Sequence, residues 1–574
     1  MSKLASPIER YRQASENTWS SFINTRFESS HLKSTSLDPR DIADAELEAM
    51  QKHLAVARQK RNEVFGACKL MPELLSDIFR SVQDRWKPER LRPREVEASD
   101  NPRYSLGWMS LTHVCHKWRQ VAVKDPLLWT TIECLDVHPL AIYTIVSRTQ
   151  TRPLRLRFDV HYFSNTLDDY TIQAFKAWLS RPVCPRVQTL SIFADSASFE
   201  NSSLVDLLPP TLPNADELCI LFGQNDVVTF REEFVPKLKT LRLDGCHLES
   251  WDCSIFMASL TRLTWAVDDR DTTSTYLPIS ELSILLSRLP KLSWLSLDNV
   301  LHALPNDPII PACSLPVSLG VLRLYSSEEG AIATLFNTLA IPASITIVIR
   351  FREWDRPDAI RQISAAMFQG AYEDEREVRE LGLGTRYIYM RPWQTETGLL
   401  KQGMETDYNV FDRTGPRLRC LCLYDPEGDE LDDEDYAGDA SLCIPYIPLS
   451  SVEALTLGEV IPFITSADDW ITNFSAAQDV RYVYMPFGDH VVLEFFDLKF
   501  GSPEGGQGTE INGFKDENKA SVSAIMALMS ILEKRRDAGS PIRELRVTEW
   551  EQSKWPGDAW SALSELVQLS FFDE

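Results

Sequence analysis

The sequence lacks any apolar run long enough to cross a bilayer, and its first residues, Met1 to Pro7, lack the apolar core of a secretory signal. Cysteine is also sparse: the 574 residues include 11, an odd number, and they are scattered. Scattered cysteines are typical of free thiols in a reducing compartment rather than of a disulfide framework. We therefore expect a cytoplasmic or nuclear protein that has no membrane among its partners.

The motifs that carry most enzyme chemistry are also missing. The sequence has no serine nucleophile elbow, no glycine loop that would cradle a phosphate and no zinc-protease helix. His113, Cys115 and His116 are metal-ligand types, but on a helix they point in different directions and no second ligand pair follows at zinc-site spacing. We therefore expect a protein that is not an enzyme and that has no catalytic residue, no metal and no cofactor.

Positive charge is in the minority, since 59 lysines and arginines face 83 aspartates and glutamates, for a formal net charge of −24. The resulting field repels phosphates, which argues against nucleic acid as a partner and favours basic proteins. Part of the excess lies between Asp425 and Asp439, where nine carboxylates occur without a lysine or arginine. We interpret this segment as a solvated loop, with a docking patch for a basic protein as the alternative.

The N-terminal part of the chain changes character at Asp38. Residues 1–37 are polar and rich in serine and threonine, without sustained periodicity, which predicts a mobile tail. Asp38 and Pro39 form a helix start signal, and residues 38–66 are predicted to form a helix. Its apolar stripe indicates packing on a neighbouring module, with self-association as the alternative.

Residues 67–135 contain two amphipathic segments, separated by a charged, proline-containing stretch at 84–107 that predicts an inserted loop. Both segments are predicted as helices, with apolar residues at Leu74, Leu75, Ile78, Phe79 and Val82 in the first, and at Trp108, Leu111, Val114, Cys115, Trp118, Val121 and Ala122 in the second. So small a unit has too little interior to bury both faces. We therefore expect a partner to cover part of its apolar surface.

This stretch resembles an F-box in three places: the Pro72-Glu73-Leu74-Leu75 helix start, the run from Val114 to Arg119 and the Pro126-Leu127-Leu128-Trp129 close. The resemblance covers some 60 residues, and the whole chain is similar to F-box proteins with divergent leucine-rich arrays that are abundant in mushroom-forming fungi. It implies that the module binds a Skp-type adaptor of a cullin–RING ubiquitin ligase. The residues that it implies at the adaptor contact are Pro72, Leu74, Leu75, Ile78, Phe79, Val114 and Trp118. Two departures from the family are Met71, where leucine is usual, and the inserted loop.

From about residue 150 to residue 574 a leucine-type residue recurs with others at +3 and +5, as in Leu238/Leu241/Leu243. The better copies are spaced by about 22 to 34 residues where no large gap intervenes, which is near the period of leucine-rich repeats. Each copy predicts one short strand, and the apolar stripe from Ile279 to Leu289 predicts a helix before one of them. The fold class predicted is an α/β solenoid: a small helical module followed by an irregular leucine-rich-repeat horseshoe with helices on its outer face and loops at 425–441 and 500–518.

Alternation along these strands predicts a second, exposed face of the sheet, because the leucines point to one side only. Tryptophan, tyrosine and arginine contribute strongly to protein interfaces, and they recur at the exposed positions. The candidate target-binding residues are Arg242, Trp294, Arg323, Tyr325, Tyr387, Tyr389, Tyr482 and Tyr484, with Tyr424 and Arg546 at equivalent positions. Cys420 and Cys422 are predicted on the same exposed side.

The features together favour a substrate-recognition subunit of a Skp–cullin–F-box ubiquitin ligase, in which residues 70–130 bind the adaptor and the repeats bind an unidentified protein target. The alternative is a leucine-rich interaction scaffold whose F-box is non-degradative or has decayed.

Overall fold

A computed structural model describes the following residues of the chain: 6–28, 37–91, 103–160, 169–194, 204–248, 250–267, 277–302, 313–326, 329–351, 356–368, 379–383, 387–392, 417–423, 442–457, 476–477, 479–484, 529, 532–533, 536–537, 539, 541–548 and 557–572. The chain divides into two units, Met1–Pro153 and Leu154–Glu574. The predicted loops at 425–441 and 500–518 lie outside the described residues, as does Tyr424.

The first unit opens with two helices, α1 over Pro7–Arg26 and α2 over Pro39–Glu63. Helix α1 lies within the stretch 1–37, which the sequence predicted as a mobile tail without sustained periodicity. A capping box stabilises its start, since the Glu9 amide donates to Ser6 Oγ at 3.2 Å and the Ser6 amide donates to Glu9 Oε2 at 2.8 Å. Neither helix buries a residue, so local capping rather than an apolar stripe determines where α1 begins.

Four more α-helices lie in the described part of this unit: α3 over Gly66–Lys69, α4 over Pro72–Arg85, α5 over His116–Lys124 and α6 over Ile142–Arg148. The second apolar segment, predicted as one helix, is divided at Cys115. A 3₁₀ helix covers Gly107–His113, and Cys115 is extended and forms the N-cap of α5. The break is local, because the Cys115 sulfur accepts a hydrogen bond from the Trp118 amide at 3.5 Å.

The insertion at 84–107, predicted as a loop, contains the antiparallel strands β1 (Glu89–Leu91) and β2 (Arg103–Ser105), and β3 (Thr131–Glu133) lies later in the unit. The insertion ends at Gly107, whose φ of +52° and close approach to the Lys87 carbonyl leave no room for a Cβ. A glycine is therefore needed where the chain re-enters the apolar core.

The second unit contains helices and strands throughout its described part. Its helices are α7 Asp169–Trp178, α8 Leu204–Leu207, α9 Ile279–Ser287, α10 Glu329–Thr338, α11 Pro357–Phe368 and α12 Gly557–Ser564. Its strands are β4 Leu154–Asp159, β5 Val187–Ala194, β6 Glu217–Val228, β7 Thr240–Leu248, β8 Arg262–Ala266, β9 Leu277–Pro278, β10 Trp294–Asp298, β11 Leu301–His302, β12 Cys313–Ser314, β13 Val321–Ser326, β14 Leu339–Ala340, β15 Thr346–Phe351, β16 Arg379–Leu383, β17 Tyr387–Pro392, β18 Arg419–Leu423, β19 Val452–Leu457, β20 Tyr482–Tyr484, β21 Glu544–Thr548 and β22 Gln568–Phe572.

Most of these strands form one large sheet, in the order β4-β5-β6-β7-β8-β10-β13-β15-β18-β17-β16-β19-β20-β21-β22. Neighbouring strands are parallel except around β17, which runs antiparallel to both β16 and β18. Helices precede strands at α7 and β5, at α9 and β10, and at α10 and β15. The described residues therefore show an α/β fold with a helical N-terminal region and a large mixed, mainly parallel sheet.

The apolar face of the sheet is built from residues in register. One row pairs Leu218, Leu241, Leu263, Leu295, Leu322 and Ile347 across six neighbouring strands. The row two residues later pairs Ile220, Leu243, Trp265, Leu297, Leu324 and Ile349. All of these side chains are buried, so the +3/+5 spacing in the sequence marks the two core positions of each strand.

Candidate partner-binding surfaces

Helix α4 of the first unit carries two apolar stripes that face different ways. Leu75 and Phe79 are fully buried, whereas Met71, Leu74 and Ile78 remain 60%, 46% and 44% exposed. The exposed residues are separated by three and four positions, so they share one side of the helix. The helix therefore has one stripe that stabilises the unit and another that remains about half exposed.

Aromatic packing and backbone capping hold the inner stripe against α5. The rings of Phe79 and Trp118 lie 5.3 Å apart. Lys117 Nζ donates to the carbonyl oxygens of Cys68 at 2.7 Å and of Leu70 at 2.8 Å, which caps the end of α3 and holds the start of α4 beside α5. The Trp118 indole Nε1 is buried without a hydrogen-bond partner among the described residues.

The other end of α4 is fixed to the turn that follows α5. Arg80 donates to Asp125 Oδ2 at 3.0 Å, and Gln83 Nε2 donates to the Leu128 carbonyl at 3.0 Å. Leu127, between these two partners, is 48% exposed. Both ends of α4 are thus held by hydrogen bonds, and the exposed stripe is presented by a fixed helix.

A tryptophan pair supports this arrangement from within. The rings of Trp108 and Trp129 lie 4.8 Å apart, and Trp129 Nε1 donates to the Ala122 carbonyl at 2.7 Å. The Arg148 guanidinium stacks over Trp129 at 4.4 Å, where burial, aided by the charge of Arg119, lowers the pKa of Arg148. Aromatic rings therefore fill the interior beneath α4, and apolar side chains remain exposed along this helix.

Six exposed apolar residues on α4 and on the segments bonded to it are grouped as the α4 surface: Met71, Pro72, Leu74, Ile78, Val114 and Leu127. Of the residues predicted at an adaptor contact, Pro72, Leu74, Ile78 and Val114 lie here, Trp118 is half-buried, and Leu75 and Phe79 form the core below. Met71 and Leu127 were not among the residues predicted from the sequence to contact the adaptor. The i, i+3, i+7 spacing of Met71, Leu74 and Ile78 is a signal that could have identified Met71.

We call the side of the large sheet opposite the leucine rows the second face. Arg242 is exposed there, and Trp294, Arg323 and Tyr325 are half-buried. Trp294 is flanked by two cations, with the guanidinium of Arg262 4.1 Å and that of Arg323 4.7 Å from its ring centroid. The structure thus brings together two of the predicted residues and adds Arg262, which pairs directly with Trp294 in the neighbouring strand.

Further along the second face the prediction of exposure is wrong for four residues. Tyr387 and Tyr389 are 6% and 8% exposed, and Cys420 and Cys422 are fully buried. Here the antiparallel strand β17 pairs Tyr387 with Cys422 and Tyr389 with Cys420, and the four side chains form a buried cluster with Val348. Burial, followed by the neighbouring Cys420, raises the pKa of the Cys422 thiol well above its ordinary value.

Tyr389 is also held by a buried polar network around Glu380. Its hydroxyl donates to Glu380 Oε1 at 2.8 Å, Arg391 Nε donates to Oε2 at 2.8 Å, and Thr456 Oγ1 donates to Oε1 at 2.9 Å. Burial and then the Glu380 charge raise the pKa of Tyr389. Burial acts to lower the pKa of Arg391, but its neighbours Tyr389 and Glu380 outweigh it and the pKa is raised. The network is internally satisfied and fixes the strand hairpin.

The remaining candidates on the second face lie near the C-terminus. Tyr482 and Arg546 are half-buried, and nothing is described of the Tyr484 side chain. Arg546 donates to Glu544 Oε1 at 2.9 Å, and Ser570 Oγ donates to the same oxygen at 2.6 Å. Arg546 is therefore engaged in a local ion pair.

The described residues show neither a metal-binding cluster nor a membrane-spanning helix. Within the ranges given above, no group of three or more histidine, cysteine, aspartate or glutamate residues is arranged to hold a metal ion. Among the helices of that same part of the chain, none has the length and apolar character needed to cross a membrane.

No protein-family model matches the chain, and a search of curated proteins found no significant match.

Proposed function

We propose that this protein is the substrate-recognition subunit of a Skp–cullin–F-box ubiquitin ligase and that it acts in the cytoplasm or nucleus. The observation that carries the proposal is the α4 surface, where Leu74 and Ile78 remain nearly half exposed on a helix whose adjacent stripe is fully buried. An exposed apolar stripe on a fixed helix is typical of a permanent protein contact. Its position within the F-box-like sequence favours a Skp-type adaptor as the partner.

The second unit would then hold the target. Its parallel strands, their leucine rows in register and the recurring helix-then-strand order support an irregular leucine-rich-repeat horseshoe. The Arg262–Trp294–Arg323 stack supports a target contact on the second face, because a large aromatic ring between two guanidinium groups offers both apolar area and charge. Other subunits of the ligase would carry out ubiquitin transfer.

Adaptor binding is the decisive test, and exposed residues are the right ones to change. The full chain is co-expressed with a Skp-type adaptor and cullin, and the retained complex is quantified for the wild type and for Leu74→Asp/Ile78→Asp. We expect at least a tenfold loss of affinity, since charge on the apolar contact must be desolvated. The matched control is Ile284→Asp, because Ile284 is also an isoleucine on a helix and is 56% exposed, in the second unit.

Two outcomes would overturn the proposal. One is a wild-type chain that fails to bind the adaptor, and the other is a double variant that binds as well as the Ile284→Asp control. Either result would favour the alternative of an interaction scaffold whose F-box is decayed or non-degradative. Circular dichroism of each variant establishes that the fold is retained before the binding data are compared.

A further inference from the structure

Two cysteines that are far apart in sequence lie side by side in the first unit. The sulfur atoms of Cys68, in α3, and Cys115, the N-cap of α5, are 3.7 Å apart across 47 residues of chain. Both residues are half-buried, so a small reagent can reach them, and both are free thiols. The buried pair Cys420 and Cys422 in the second unit has no comparable access.

The surroundings of the pair keep both sulfurs in place. The Trp118 amide donates to Cys115 Sγ at 3.5 Å, and Lys117 Nζ donates to the Cys68 carbonyl at 2.7 Å. A single residue of α5, Lys117, therefore bridges to α3 next to the thiol contact, and two independent contacts keep α3 and the start of α5 together. The pairing is a feature of the folded unit and not of a loose terminus.

We propose that Cys68 and Cys115 form an oxidative modification site that a hydroperoxide converts to an intramolecular disulfide. One thiolate attacks a peroxide oxygen, the O–O bond breaks, and a sulfenic acid and one molecule of water (or alcohol) result. The second thiol then attacks the sulfenic sulfur and expels its oxygen as water. Overall, two thiols lose two protons and two electrons, and these reduce the peroxide.

Little movement is needed to close this bond. A disulfide requires a sulfur–sulfur distance of about 2.05 Å, and the two sulfurs start 3.7 Å apart. Closure would cross-link α3 to the start of α5, directly beside Met71 and Val114 of the α4 surface. Disulfide formation between Cys68 and Cys115 does not depend on adaptor binding.

The pH dependence of the reaction follows from the site. Burial, followed by the hydrogen bond and charge of Cys115, raises the pKa of the Cys68 thiol, and Lys117 opposes this in part. Because the thiolate is the reacting form, oxidation accelerates as pH rises towards and above the ordinary thiol range. We therefore expect a slow, progressive reaction near pH 7 and a faster one at pH 8.5.

Peptide mapping tests the inference on the folded full chain. The protein is treated with limiting hydrogen peroxide, alkylated and digested with trypsin without reduction. Cleavage after Arg61, Lys69, Arg103 and Lys117 places each cysteine in its own peptide, residues 62–69 and 104–117. We expect these peptides to be joined in the oxidised protein and separated by dithiothreitol.

Matched variants give the control. Cys68→Ser and Cys115→Ser should each abolish the joined peptide, whereas Cys253→Ser, which removes another half-buried thiol, should leave it unchanged. The proposal is overturned if the folded wild type gives only singly oxidised Cys68 or Cys115. It is equally overturned if the joined peptide forms only after unfolding in urea, because the folded geometry would then not be its cause.

Discussion

The ring of Phe79 packs 5.3 Å from the ring of Trp118, while Ile78, the residue immediately before Phe79, is 44% exposed. Two consecutive apolar residues of α4 therefore have opposite roles, because a helix turns by about 100° per residue. Phe79 stabilises the first unit by joining α4 to α5. Ile78 contributes to the α4 surface.

This difference predicts unequal losses of stability for two alanine substitutions. Phe79→Ala should lower the free energy of unfolding of the first unit by about 3–5 kcal/mol, since a buried aromatic side chain is lost and a cavity remains. Ile78→Ala should change it by less than about 1 kcal/mol, since the side chain is already partly in water. Hydrogen exchange of peptides from α4 and α5 measures both effects locally. Equal loss of protection in the two variants would show that the two stripes are not distinct.

The sequence predicted α4 as a helix but not which of its stripes faces inward. Both stripes are apolar, so the period of 3.6 residues identifies the helix and leaves two orientations open. The choice depends on contacts distant in the chain, such as Gln83 with Leu128 and Lys117 with Leu70. The division of the second segment at Cys115 was not predicted, because a cysteine sulfur is an unusual helix cap.

The strands of the second unit were more predictable than their order. Every predicted strand, such as those at Leu241 and Leu295, lies in a strand of the structure, since two core positions two residues apart are a local signal. The reversal at β16 and β17 is not local, because it depends on which strand pairs with β18 and β19. The burial of Tyr387 and Tyr389 depends on contacts with other strands, such as the cluster with Cys420 and Cys422 and the hydrogen bond from Tyr389 to Glu380, and could not be predicted from alternation alone.

The absence of a side chain at Gly382 allows strands β16 and β17 to pair closely. A Cβ at this position would overlap the ring of Tyr389, which lies directly across the β16–β17 pair. Gly382→Ala should therefore destabilise the second unit by about 1–3 kcal/mol through overpacking. Gly66→Ala is the matched control, since nothing lies within 4 Å of the added methyl group. Urea denaturation of the two variants provides the comparison, and equal midpoints would contradict the packing described.

The buried carboxylate of Glu380 should be the most sensitive polar group of the same hairpin. It accepts hydrogen bonds from Tyr389, Arg391 and Thr456 and is 2% exposed. Glu380→Ala leaves the largely buried Arg391 charge, whose side chain is 17% exposed, without its carboxylate, which is expected to cost about 3 kcal/mol. Tyr389→Phe removes one hydrogen bond and should cost only about 1–2 kcal/mol. Chemical denaturation measures both, and a loss for Glu380→Ala no greater than that for Tyr389→Phe would contradict a buried ion pair.

The carboxylate of Glu544 should make the stability of the second unit depend on pH. Burial acts to raise its pKa, but hydrogen bonds from Arg546 and Ser570 and the Arg546 charge outweigh burial and lower it. A carboxyl whose pKa is lower in the folded than in the unfolded state stabilises the fold above the unfolded value of about 4.3, and this contribution is lost as pH falls through the folded value.

Glu544→Gln removes that contribution and isolates it from other acidic groups. The variant should be less stable than the wild type at pH 7, and the difference should shrink as pH falls from the unfolded value of about 4.3 through the lower folded value, where the carboxylate of the folded wild type becomes protonated. Urea denaturation at a series of pH values measures the difference directly. A difference that stays constant from pH 7 to pH 3 would show that the amide merely packs less well and that the ionised carboxylate is not what Arg546 and Ser570 stabilise.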